Sequence, residues 1–240
     1  MLSFQGKVAV ITGASRGIGR AIALAWLAAG GEVFLLGRNR VQLEEVATES
    51  RKTSGRVHYL EVDLESEQDI RKACHQLEAL PQLDLLVNCA GHVFYGQVAD
   101  APLAQLDRQY RVNLRAPYLL TQLLLPLLKV RGGQVVFVNS SAGLCARSHF
   151  SQYAATKHAL KALADSLRQE VNSDGVRVLS IYPGRTATAM QKMVCSMEGS
   201  TYRPEELLQP EDVASAVMHA IGLPAGAEMT DVQLRPSRKN

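Results

Sequence analysis

The sequence predicts an α/β fold: a doubly wound parallel sheet of about seven strands with helices on both faces. Three observations predict it. Short apolar runs rich in β-branched residues alternate with longer helical segments along the chain. The runs are apolar throughout rather than alternating, which is the pattern of strands covered on both sides. The chain has 240 residues, 47% of them hydrophobic, enough to fill one large core. With no internal repeat, low-complexity segment or linker, residues 1–240 read as a single domain.

The elements follow in order. Lys7 to Thr12 is a first strand ending in glycines, and Gly17 to Ala29 a helix stopped by Gly30-Gly31. Glu32 to Leu36 is a second strand, followed by a charged helix over Val41 to Thr53. Val57 to Val62 is the third strand, Ser66 to Leu80 a helix, and Leu83 to Val87 the fourth strand. A helix-rich stretch runs from about Leu103 to Lys129, and Gln134 to Val138 is the fifth strand. Ser151 to Asn172 is a long helix, and Val176 to Tyr182 the sixth strand. Pro210 to Ile221 is a helix with proline in its first turn and acids behind it. Val232 to Leu234 is a short seventh strand. Arg185 to Pro204 shows no clear period and reads as a substrate loop or lid.

Composition excludes several function classes. A net charge of +3, spread along the chain, gives no electrostatic footprint for nucleic acid. The basic tail Arg235 to Asn240 is a solvated terminus. Cys74, Cys89, Cys145 and Cys195 have neither metal-ligand spacing nor the look of a disulfide framework. They read as reduced thiols of a cytoplasmic protein, with no metal site. A strand begins within a few residues of Met1, so no signal peptide is expected. The apolar run Pro117 to Leu128 is too short to span a bilayer.

Chemistry begins at Gly13, in Thr12-Gly13-Ala14-Ser15-Arg16-Gly17-Ile18-Gly19, between the first strand and its helix. Gly13, Gly17 and Gly19 let the backbone turn tightly against a pyrophosphate. Ser15, Arg16 and Ile18 complete the loop, and the helix N-terminus offers free N–H groups and partial positive charge. A Rossmann-type dinucleotide site follows. An NAD site usually carries an acid about twenty residues after the turn. Here the second strand ends Leu35-Leu36-Gly37-Arg38. Arg38 would attract a 2′-phosphate, with Arg16 as a second cation, so the cofactor expected is NADP(H).

Tyr153 and Lys157 lie four residues apart on the long helix, hence on one face. A free phenol titrates near ~10, and a neighbouring ammonium favours phenolate and should lower that value. Tyr153 can then exchange a proton with an alcohol or alkoxide. Ser140 follows the fifth strand, where open α/β sheets bind ligands. Its hydroxyl would hold the substrate oxygen.

Together these motifs resemble the short-chain dehydrogenase/reductase family in its single-domain form. Asn88-Cys89-Ala90-Gly91 is similar to the family's N-N-A-G, with Cys in the second place. Asp63 matches the acid that contacts the adenine, and Asn113 the helical asparagine. Ser140, Tyr153 and Lys157 match the catalytic set, with Ser140 preceding Tyr153 by 13 residues, the family's usual interval; the competing Ser141 falls one residue too late. Pro183, Gly184, Thr186 and Thr188 fall in the P-G-x-x-x-T element near the nicotinamide end. The resemblance implies an NADP(H)-dependent carbonyl reductase or alcohol dehydrogenase acting on a small molecule. It implies catalysis by Ser140, Tyr153, Lys157 and Asn113, the last holding a proton-relay water. By residues alone, Asn113 is as readily a buried asparagine satisfying backbone. Asn88, Ala90 and Gly91 would line the cofactor, Lys157 would also bond its ribose, and the Arg16–Arg38 pair resembles the NADP-preferring pattern. A catalytically idle NADPH sensor or scaffold, and an isomerase or dehydratase, stay open as alternatives. The apolar helix around Leu119 to Leu128 resembles a homodimer surface, although a core helix would look the same. The ending Met229 to Pro236 lacks the glycine-rich strand that many tetrameric members carry. Substrate contacts are expected among His92, Phe94, Tyr95, Cys145, Arg147, His149, Arg185, Met190 and Met193.

Overall fold

The computed structural model describes residues 3–50 and 53–237. Seven parallel strands form one sheet: β1 (Val8–Thr12), β2 (Glu32–Gly37), β3 (Arg56–Glu61), β4 (Leu85–Asn88), β5 (Gln134–Val138), β6 (Arg177–Pro183) and β7 (Asp231–Leu234). Their order is β3-β2-β1-β4-β5-β6-β7. The order reverses between β1 and β4, which pair directly through Val10 and Leu86. That reversal opens a crevice at the strands' carboxyl ends.

Eight α-helices cover the sheet among the described residues. They are α1 (Gly17–Ala28), α2 (Arg40–Glu49), α3 (Glu67–Leu77), α4 (Leu103–Tyr110), α5 (Ala116–Lys129), α6 (Ser151–Val171), α7 (Ala189–Glu198) and α8 (Pro210–Ile221). Successive side chains of β1 point to opposite faces. Ala9 and Ile11 join a core with Ile22 and Trp26 of α1, Leu43 of α2 and Val217 of α8. Val8 and Val10 join a second core with Ile70 of α3, Leu120 and Leu124 of α5 and Leu160 of α6.

Local chemistry sets the helix starts. The Asn39 side chain accepts from Gln42 N–H (3.1 Å), and Ser66 Oγ accepts from Asp69 N–H (3.2 Å), each satisfying an orphan donor of the first turn. α8 begins with Pro210, and Asp212 accepts from the Gln209 N–H at 2.8 Å.

Three sequence expectations change. The helix expected to reach Thr53 ends at Glu49, and residues 51–52 lie outside the described residues, as do 238–240 of the basic tail. The stretch 103–129 is two helices joined by a π-turn at Arg111–Arg115, and α5 continues through Pro126. The unpatterned segment 185–204 contains α7, capped by Thr188 Oγ1 on Gln191 N–H (3.2 Å) and ended by left-handed Gly199. In α5, Leu119, Leu120, Leu124 and Leu128 are buried in the core of one chain. Internal packing accounts for these four leucines, while Leu123, Leu125 and Leu127 of the same run are only partly buried. No helix among the described residues is long and apolar enough to cross a membrane.

Candidate active site

Gly13 sits at φ +65°, and a Cβ there would lie 2.8 Å from the Ala90 Cα. A side chain would fill the approach between the β1 and β4 turns. One on Gly19 would run into the Gly13 carbonyl oxygen. Thr12, 1% exposed, ties the turns together. Its Oγ1 accepts from the N–H groups of Cys89 (3.0 Å) and Ala90 (3.1 Å) and donates to the Val87 carbonyl (3.3 Å). α1 starts at Gly17, and its N-cap, Arg16, provides no side-chain cap. The first-turn N–H groups thus face the crevice without a side-chain partner, the arrangement that suits a phosphate.

A cleft of about 430 Å³ runs from this turn across the switch point. Gly13, Ser15, Arg16, Gly17, Ile18 and Gly19 line its first part. Arg38 and Asp63 stand at the ends of β2 and β3, and Ala90 and Gly91 form the β4 side. Asn88 does not reach it: the side chain is buried and its amide donates to Thr121 Oγ1 at 3.3 Å. Pro183, Gly184 and Thr186 line a second, smaller cavity instead, while Thr188 borders both.

The arginine end is more crowded than the sequence suggests. Glu65 Oε1 accepts from Arg108 Nε at 2.9 Å and from Arg38 Nη1 at 3.4 Å. Arg115 Nη2 donates to the Glu65 carbonyl at 2.7 Å. Arg38 remains half exposed, at 56%, and Arg16 is exposed.

The second cavity, about 180 Å³, is contiguous with the first, and Tyr153 lines both. Ser140 lines the smaller one. Ser140 Oγ accepts from Ala142 N–H (3.1 Å), and its hydroxyl stands beside the Tyr153 phenol. Asn139, 4% exposed, fixes the serine relative to α6: its Oδ1 accepts from Ser140 N–H (2.9 Å) and its Nδ2 donates to the Lys157 carbonyl (3.0 Å). Lys157 is 3% exposed. Its ammonium donates to the Val138 carbonyl at 3.0 Å and lies 5.8 Å from the centre of the Tyr153 ring.

Burial pushes the Tyr153 phenol up to about 12, with the Ser140 hydroxyl pulling the other way. This is opposite to the lowering expected from the Y-x-x-x-K spacing, because desolvation outweighs the Ser140 hydroxyl and the Cys89 thiol adds to the rise. Lys157 is pushed down to about 8, again by burial. The neighbouring Cys89 thiol is pushed up to about 12 and stays neutral. A protonated phenol aimed at a cavity is a proton donor.

Asn113 is completely buried on the π-turn. Its Oδ1 accepts from His92 N–H (2.8 Å), and its Nδ2 donates to the His92 carbonyl (2.8 Å) and Thr156 Oγ1 (3.0 Å). The side chain makes no bond to Lys157; it clamps the loop after β4 onto α6.

Of the expected substrate contacts, Cys145, Arg147, Arg185 and Met190 line the smaller cavity. His92 lies on the cofactor side. Tyr95 and His149 stack on each other (4.9 Å) and act as a brace. Sequence reasoning missed Thr12, Glu65, Arg108 and Asn139. Thr12 and Asn139 sit at strand ends beside known motifs, which was a usable signal; the Glu65–Arg108 pair had none.

Residues 7–199 match the family model for short chain dehydrogenase, so the chain belongs to that family. It is 33% identical over 238 residues to an uncharacterized oxidoreductase of Staphylococcus epidermidis, an alignment covering 98% of this chain and 100% of the relative. An alcohol dehydrogenase from the archaeon Thermococcus sibiricus, complexed with 5-hydroxy-NADP, superposes with a TM-score of 0.89 at 28% identity, covering 98% of each chain. A metagenomic short-chain oxidoreductase in complex with NADP gives 0.84 at 30% identity, covering 98% of this chain and 99% of that one.

Proposed function

We propose that this protein is an NADP(H)-dependent oxidoreductase that interconverts a ketone or aldehyde and the corresponding alcohol, with Tyr153 as acid/base. The carrying observation is the position of Tyr153, whose side chain borders both the dinucleotide-shaped cleft and the smaller cavity. The NADP-bound relatives support the cofactor. The residues fit it: a glycine cradle that a Cβ would fill, an uncapped helix N-terminus, and Arg16 and Arg38 at the far end.

When bound, the nicotinamide supplies or accepts the hydride. The chain's own residues handle the oxygen and its proton. The Ser140 hydroxyl donates to the carbonyl oxygen, orienting it and stabilising charge as it develops. The Tyr153 phenol, held protonated by burial, gives its proton to the oxygen; in the reverse direction it takes one back. Lys157, pinned by the Val138 carbonyl, keeps a cation beside the phenolate that remains. Asn113 acts as a positioning residue by fixing the His92 loop to α6.

The test is NADPH oxidation across a panel of ketones and aldehydes, with Tyr153→Phe alongside. Turnover should vanish in the variant while NADPH binding stays within about twofold, because only the phenolic hydroxyl, with its transferable proton, is removed. Substantial turnover by Tyr153→Phe would overturn the assignment. A wild type that binds NADPH but reduces nothing and oxidises no alcohol would point to an idle sensor.

A further inference from the structure

We infer that the substrate is an oxo or hydroxy acid whose carboxylate is held by Arg147, with a short apolar chain between the carboxylate and the reacting carbon. This inference rests on the carbonyl–alcohol reading above and specifies its substrate.

The cavity containing Ser140 and Tyr153 is lined by two cations, Arg147 and Arg185, and by no carboxylate. The two cations differ. Arg185 Nη2 lies 2.6 Å from Glu198 Oε1, and that carboxylate is 13% exposed. Its charge is neutralised from within the protein. Arg147 is exposed and makes no ion pair with any described residue. The cavity therefore carries one uncompensated positive charge, which suits a ligand with one negative charge. An arginine fork matches a carboxylate with two parallel N–H···O bonds.

Val93, Phe150, Met190 and Val194 give the wall an apolar stretch, beside the polar side chains of Ser141, Thr186, Thr188 and Gln191. The volume of about 180 Å³ is small. Pockets for drug-sized ligands run to roughly 300–1,000 Å³. A short aliphatic body fits against that apolar stretch.

The turn carrying Arg147 is built rigidly. The Phe150 N–H donates to the Arg147 carbonyl (3.2 Å). Between them, His149 has φ 67°, a left-handed conformation that a side chain rarely adopts. The surroundings enforce it: the Gly96 N–H donates to the His149 carbonyl (2.8 Å), and the His149 ring stacks on Tyr95. Tyr95 in turn meets Phe150 edge-on at 5.2 Å. Strain of this kind persists where a conformation is over-determined and gathers at ligand sites. Here it holds the base of a long cationic side chain at the cavity rim and sets Phe150 into the wall.

The experiment measures kcat/KM with NADPH for straight-chain oxo acids of increasing length and for their methyl esters. Wild type, Arg147→Gln, Arg147→Lys and Arg185→Gln are compared. Wild type should prefer one acid over its ester by about tenfold, equivalent to ~1.4 kcal/mol. Arg147→Gln should erase the preference through KM on the acid, lowering kcat/KM far more for the acid than for the ester. Arg147→Lys should restore part of it, since an ammonium keeps the charge but loses the fork. Arg185→Gln should leave the preference in place. Equal wild-type rates on acid and ester, or equal losses on both in Arg147→Gln, would overturn the inference while ester reduction left the carbonyl–alcohol reading standing. A measurement independent of turnover accompanies it. Saturated carboxylates should raise the melting temperature of the wild-type protein with NADP⁺, and neutral amides of equal length should not. Absence of any carboxylate effect, or its survival in Arg147→Gln, would also overturn the inference.

Discussion

Replacing Arg38 by Gln separates the two halves of the cofactor argument. The 2′-phosphate is the only chemical difference between NADPH and NADH, so a residue that reads it must change one affinity and spare the other. A hydrogen bond to a charged group contributes about 1.5–3 kcal/mol. Arg38 is 56% exposed and already leans on Glu65 at 3.4 Å, so solvent screening and that competition favour the low end. At ~1.4 kcal/mol per decade the expected loss in NADPH affinity is about tenfold. The change also leaves Glu65 with Arg108 as its main partner, 2.9 Å away, and with more of its negative charge directed at the phosphate. Glu65→Gln should therefore act in the opposite direction, tightening NADPH by up to about fivefold, the ~1 kcal/mol limit for an exposed pair. Both changes should leave NADH within about twofold, since its ribose hydroxyl carries no charge. Dissociation constants for the two cofactors, by calorimetry at low and moderate salt, decide the matter. Equal weakening of NADPH and NADH by Arg38→Gln would refute the reasoning, as would a loss insensitive to salt.

Other positions give sharp outcomes. Ser140→Ala should lower kcat by roughly a hundredfold or more, the usual effect of losing an oxyanion donor, while Ser141→Ala stays near wild type in steady-state assays. Gly13→Ala places a Cβ 2.8 Å from the Ala90 Cα at a positive φ, so it should abolish cofactor binding in titrations and lower the melting temperature. Lys157 is pushed down to about 8 from an ordinary 10.5, so the unfolded chain binds more protons between those values, and wild-type stability gains from this group as pH rises through that window. Lys157→Met removes that contribution; melts at pH steps across the window should show the variant's stability advantage shrinking, and a constant gap would contradict a buried ammonium.

The sheet was legible because parallel strands covered on both sides are written as continuous apolar runs, and β1, β2, β4, β5 and β6 all have them. Local spacing also exposed the glycine turn and the Tyr153–Lys157 face. α7 escaped notice because it is short and buries only Val194 and Cys195, though Thr188 and Gly199 mark its two ends. Glu65 and Arg108 could not be read. They are 43 residues apart, Glu65 after β3 and Arg108 on α4, and meet only in the folded chain. The direction of the Tyr153 shift was missed for a related reason: spacing reveals the neighbouring cation, whereas burial depends on every element packed around the phenol.

The residues that hold the site in shape are polar, buried and mostly silent in sequence. Thr12 joins the glycine turn to the β4 turn, Asn139 joins Ser140 to the backbone of α6, and Asn113 joins the His92 loop to the same helix. Gln109, fully buried, adds a fourth tie, accepting from the Phe94 N–H (3.2 Å) and donating to Gln152 Oε1 (3.0 Å). Each satisfies loop backbone groups that would otherwise be costly to bury. α6 is thus fastened to the β5 turn and to the loop after β4, and it carries both Tyr153 and Lys157. A fold that must bring a phenol, a hydroxyl and a dinucleotide cleft together within bonding reach cannot leave their relative positions to apolar packing, which is non-directional. Directional bonds between buried side chains and loop backbone supply the missing precision.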